Sequence, residues 1–109
     1  MAVAKILVVE DESIVAEHIV KCLHNLGYSV SSAVNTGEKA IKEVELNCPD
    51  LVLMDIAMAG LNGLEATARV TKEFPTVRVI ILSMHSTEEY VAQALRAARE
   101  AGFSGAIVP

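Results

Sequence analysis

The chain reads as an α/β protein built on one doubly wound parallel sheet of five strands. Three observations predict this. Short aliphatic runs alternate with segments of helical periodicity along the whole sequence. The aliphatic runs lack polar alternation, which is the pattern of strands covered on both faces. Apolar residues make up 52 % of the chain and aromatic residues only 4 %, so aliphatic side chains must fill the core.

The elements follow in order. Lys5 to Val9 is a continuous aliphatic run and the first predicted strand. Ser13 to Leu26 is a helix, with Ile14, Val15, Ile19, Leu23 and Leu26 assigned to its apolar face. Gly27 is placed to end it. Tyr28 to Val34 is the second strand. Thr36-Gly37 opens a second helix reaching about Leu46, and Pro49 stands just beyond its end. Leu51 to Met54 is the third strand, Leu64 to Phe74 a third helix closed by Pro75, and Val77 to Leu82 the fourth strand. Thr87 begins a fourth helix, with Glu88 and Glu89 in its first turn, where the macrodipole favours anions. That helix runs to about Ala101 and ends at Gly102. Ser104 to Val108 is the fifth strand.

Strands joined by helices must cross over with right-handed connections. At this length the natural solution is the flavodoxin-like strand order 2-1-3-4-5, here without a helix after the fifth strand. No linker, low-complexity stretch or internal repeat interrupts the 109 residues, so they are expected to form a single domain. A net charge of −5 speaks against a nucleic-acid partner, which would require Lys and Arg to displace counterions. No apolar run approaches the ~18 residues of a membrane span, and the N-terminus lacks the pattern of a signal peptide. Cys22 and Cys48 share no metal-like spacing and read as reduced thiols, so the expected location is cytoplasmic.

The residues that follow the strands carry the chemistry. Glu10, Asp11 and Glu12 follow the first strand, Asp55 the third and Ser83 the fourth. In a doubly wound sheet, sites form beyond the carboxyl ends of the strands at the switch point, here between strands 1 and 3. Asp11 and Asp55 should meet there. Carboxylates gathered in a partly desolvated cleft repel one another, and a hard divalent cation such as Mg²⁺ relieves that repulsion through oxygen ligands. A carboxylate beside such an ion can attack a phosphoryl group, and the Ser83 hydroxyl can donate to one of the transferred oxygens. Glu12 and Ser13 are read differently, as residues that open the first helix. His18, His24 and His85 share no ligand spacing and read as surface or boundary residues. Met54, Met58 and Met84 read as packing, with Met84 placed to narrow access to Asp55. Lys39, Lys42, Glu43 and Glu45 form a solvated helix face.

Three segments, ILVVEDE (Ile6 to Glu12), PDLVLMDIAMAGLNGLEA (Pro49 to Ala66) and VIILSMHS (Val79 to Ser86), resemble the response-regulator receiver domains of two-component signalling. The resemblance extends from Lys5 to about Ala97. It implies that Asp55 is the phosphoacceptor, that Asp11 binds Mg²⁺ directly and Glu10 through water, and that the backbone carbonyl of Ala57 is a further ligand. It implies that Ser83 is the switch hydroxyl and that a histidine kinase or phosphotransfer protein is the partner. Gly60 and Gly63 match the turn after the third strand. The module implied is a signalling phosphoacceptor and not a turnover enzyme.

Several positions depart from the family. Ala59 replaces a usual proline, and Ala106 an aromatic switch residue. The lysine that pairs with the phosphoryl group falls at Val108 or Pro109, according to the count, and neither is lysine. Losing one such electrostatic partner costs ~2.7–4 kcal/mol of transition-state stabilisation. Ala98 to Ala101 add about one helical turn before the fifth strand, and residues 98–109 are atypical throughout. From Arg99 onward the chain weakly resembles a helix-to-strand unit of a (β/α)₈ barrel. Two readings stay open here: a truncated divergent receiver, or a recombined or engineered scaffold that has lost productive phosphorylation. Without a final helix, aliphatic sheet surface should be exposed and drive self-association. An aspartate-nucleophile phosphohydrolase would require a second acid two residues after Asp55, where Ala57 stands.

Overall fold

The computed structural model describes residues 5–55, 63–82 and 105–108, together with Ala92 and Arg96. In chain order the elements are β1 (Lys5–Val9), α1 (Ser13–Asn25), β2 (Ser29–Val34), α2 (Gly37–Asn47), β3 (Leu51–Asp55), α3 (Gly63–Glu73), β4 (Arg78–Leu82) and β5 (Gly105–Val108). Neighbouring strands run β2-β1-β3-β4, with β5 paired along β4, and every pair is parallel. The α/β class and the parallel sheet are as expected, and most element limits shift by only a residue or two. The helix expected from Thr87 lies outside the described residues. No helix among those described is long and apolar enough to cross a membrane.

Strand alternation splits the core into two layers. Leu7, Val9, Val52, Met54 and Val79 face Ala40, Val44, Ala66 and Val70 of α2 and α3. Ile6, Val8, Leu51, Leu53 and Ile80 share the other layer with Ile19 and Leu23 of α1. Strands covered on both faces explain why the sequence shows no polar alternation there.

Helix termini are held by local chemistry. Thr36 caps α2, its Oγ1 accepting the Lys39 backbone N–H at 3.1 Å. At the end of α1 the Gly27 N–H donates to the His24 carbonyl and the Tyr28 N–H to the Leu23 carbonyl, a Schellman closure. Tyr28 and Leu23 also belong to one apolar cluster, which is the hydrophobic contact that accompanies this motif. Gly27 sits at φ +90, and a Cβ built there meets nothing within 4 Å. Gly27→Ala should therefore cost about 1 kcal/mol through backbone strain alone. Urea titration should show a lower midpoint with an unchanged slope.

At the opposite edge Asp50 ties three strands together. Its Oδ2 accepts the Lys5 N–H at 2.8 Å, its own N–H donates to the Lys5 carbonyl, and its carbonyl accepts the Arg78 N–H. On the β2 side, pairing slips by one residue between Ile6↔Val30 and Leu7↔Ser32. Ser31 is left over as a bulge, and its hydroxyl donates to the Ile6 carbonyl at 3.4 Å.

One expectation is corrected. Ile14 is 80 % exposed, not part of the apolar face of α1. Nine residues at 100° each set it opposite Leu23, and Cys22 takes the core position instead. The sheet face expected to stand open is buried at Leu53 and Ile80, at 1 % and 0 % exposure, while the side chains of β5 lie outside the described residues.

Candidate functional site

Parallel pairing gathers the carboxyl ends of the strands at one edge. Val9 of β1 lies beside Met54 of β3, and the residues that follow them are Glu10 and Asp55. Asp55 ends β3, its main chain in register with Leu82, the last residue of β4. The side chain of Asp55 lies outside the described residues, as do Ala57 and Ser83.

Glu10 keeps the ladder going for one step past β1, its N–H donating to the Val34 carbonyl at 3.0 Å. Its side chain is 5 % exposed and is the buried charged group among the described residues. Burying a carboxylate is costly unless hydrogen bonds or a counter-charge compensate. Part of that compensation is local: Glu10 Oε2 accepts the Glu12 backbone N–H at 3.0 Å. That bond folds the chain back at the entrance to α1, and Asp11, between the two, is exposed. Glu12 is the N-cap residue of α1 and makes no side-chain cap bond.

The two acids border an open groove of about 650 Å³. It runs from Glu10 and Asp11 along Ala16 and Val20 of α1 and the facing Ala33 and Val34 of β2. Lys39 reaches its rim, Nζ donating to Asn35 Oδ1 at 3.1 Å. The sequence did not point to this groove, because it arises from the stand-off between α1 and an edge strand and not from a motif.

The donor chemistry suits a hard cation. Two neighbouring carboxylates stand at the strand end, with no imidazole or thiolate beside them among the described residues, as oxygen-seeking Mg²⁺ requires. Among the described residues no group of three His, Cys, Asp or Glu side chains could hold a metal, and the other two expected ligands, the Asp55 side chain and Ala57, lie outside them. Elsewhere, His18 and His24 are exposed, as expected, and His18 Nε2 lies 3.6 Å from Cys22 Sγ. Cys22 is buried and Cys48 exposed, both as free thiols. Met54 is packed in the core, while His85, Met58 and Met84 lie outside the described residues.

The residues match known proteins over most of the chain. The profile of the response regulator receiver domain family matches residues 6–105. The transcriptional regulatory protein DegU of Brevibacillus brevis is 34 % identical over 93 residues, covering 84 % of this chain and 39 % of the relative. The response regulator UvrY of Escherichia coli K12 is 33 % identical over 93 residues, covering 84 % of this chain and 43 % of the relative. The chain thus spans less than half the length of these curated relatives. A LuxR-family two-component response regulator from Aurantimonas sp. SI85-9A1 superimposes with a TM-score of 0.74 at 29 % identity, over 96 % of this chain and 73 % of that one. The isolated receiver domain of RcsB from Salmonella enterica serovar Typhimurium, solved with a beryllofluoride phosphomimetic, shares the fold at a TM-score of 0.73 and 20 % identity, over 98 % of this chain and 77 % of that one.

Proposed function

The chain belongs to the response regulator receiver domain family, and from that membership we propose that it is the phosphoacceptor module of a two-component relay, charged on Asp55 in the presence of Mg²⁺. The observation that carries the reading is the placement of Glu10 and Asp11. The buried Glu10 and the exposed Asp11 directly follow β1, which pairs with the strand that ends at Asp55. Three acids at one edge repel each other without a cation.

Asp11 and the Asp55 carboxylate would hold the ion directly, with the Ala57 carbonyl, while Glu10 would hold one of its waters. Bound there, Mg²⁺ would offset negative charge on the transferred oxygens. Asp55 would attack phosphorus through one carboxylate oxygen, forming an acyl phosphate as the bond to the donor breaks. Ser83 would donate its hydroxyl proton to a phosphoryl oxygen. The donor would be a histidine kinase, a phosphotransfer protein or a small acyl phosphate, in the cytoplasm. The chain would be a signalling partner and not a turnover enzyme. With Val108 and Pro109 at the lysine place, phosphoryl uptake would be slow or the product short-lived.

Intact-mass spectrometry after acetyl phosphate treatment tests the proposal. A gain of one phosphoryl group is expected with Mg²⁺, mapped to Asp55, and none after EDTA. An unchanged mass under both conditions would favour the other reading, a scaffold that ignores phosphodonors. That scaffold would also self-associate through the sheet face beside β5, whose side chains lie outside the described residues, and analytical ultracentrifugation reads this directly.

A further inference from the structure

Val52 and Met54 of β3 share one apolar cluster with Ala66 and Val70 of α3, all fully buried. Such contacts are non-directional, and Ala66 offers a small surface over which a helix can shift at little cost. Among the described residues a polar contact lies within this packing. Thr67, half-buried on α3, directs its Oγ1 to Met54 Sδ at 3.6 Å. A thioether is a weak acceptor, so this bond adds little to stability. It does add direction, because it favours one rotation and one height of α3 against β3. Met54 is the residue immediately before Asp55, and its neighbours in the ladder are Val9 and Ile81.

We infer that Thr67 is a positioning residue for phosphoryl transfer: its hydroxyl, through the Met54 sulfur, sets the last residue of β3 against the strand end that carries Glu10 and Asp11. The role rests on Asp55 being the phosphoacceptor. Nucleophile placement is steep in its effect, since a misplacement of about 1 Å costs on the order of 10²-fold in rate. A weak directional contact that limits a few tenths of an ångström would therefore be visible in rate before it is visible in stability.

The test uses the full chain with acetyl phosphate and saturating Mg²⁺, following phosphoryl uptake by intact mass, with melting temperatures measured in parallel. Thr67→Val keeps the shape and removes the hydroxyl. Thr67→Ser keeps the hydroxyl and removes a methyl. Met54→Leu removes the sulfur at similar volume. The expected result is uptake slowed roughly fivefold in Thr67→Val and in Met54→Leu. Thr67→Ser should restore most of the rate whatever its melting temperature. The double variant Thr67→Val/Met54→Leu should be no slower than either single one, because both remove the same contact. Wild-type uptake in Thr67→Val overturns the role, as does a Thr67→Ser variant as slow as Thr67→Val. Additive losses in the double variant also overturn it. If the unmodified protein takes up no phosphoryl group, the phosphoacceptor reading itself fails, and the positioning role falls with it.

Discussion

Asp55→Asn should abolish mass gain from acetyl phosphate and Mg²⁺-dependent binding of a beryllofluoride mimic while leaving the protein folded. An amide has no carboxylate oxygen with which to form an acyl phosphate, so the loss is complete and not graded. The replacement is nearly isosteric, and the main chain of residue 55 is held by its pairing along β4, so the end of β3 should persist. The edge that carries Glu10 and Asp11 would lose one negative charge, which eases repulsion among its acids in the absence of metal. The melting temperature in EDTA should therefore stay the same or rise. Mass spectrometry and calorimetry on the two proteins check both halves. Uptake that persists in Asp55→Asn would move the phosphoacceptor to another residue.

Leu53→Ala should produce the largest loss of stability. Leu53 lies on β3, between β1 and β4, and is 1 % exposed in the layer that contains Ile6, Val8, Ile19, Leu23 and Ile80. Truncating such a leucine removes favourable burial and leaves a cavity, at about 2–5 kcal/mol. A domain of this size has only about 5–15 kcal/mol to lose. The melting temperature should fall by about 4–8 °C for each kcal/mol. Urea titration gives the free energy directly. A loss below about 1 kcal/mol would mean that Leu53 is not tightly packed in this layer. Because Leu53 lies two residues before Asp55, the variant should also loosen the strand end and slow phosphoryl uptake.

The order of elements was legible because β1, β3 and β4 are largely aliphatic runs and most helix ends carry a chemical signal, such as Thr36 or Gly27. The α/β class followed from those signals alone. The errors arose where periodicity is degenerate. Ile14 fits a list of apolar residues, but its angle about α1 places it in solvent, and Cys22 fills the core position that the list omitted. The site was legible in its acidic residues, since carboxylates after strands are conspicuous. What was not legible was their unequal exposure. Glu10 is buried because it prolongs the β1 ladder by one hydrogen bond to Val34, whereas Asp11 falls in the bend that follows. The contact from Thr67 to Met54 was also invisible, because it depends on how α3 sits across the sheet, a tertiary matter that neither helix nor strand periodicity records.

The unmatched serine in β2 has a consequence for behaviour at high concentration. The outer margin of that strand, SVSSAV, holds no charge and no proline, the usual deterrents to fibril-like stacking between molecules. An extra residue that kinks the margin supplies the missing deterrent, since a straight incoming strand can follow only one half of a bent one. Removing Ser31 would straighten that margin and leave an uncharged edge open to association.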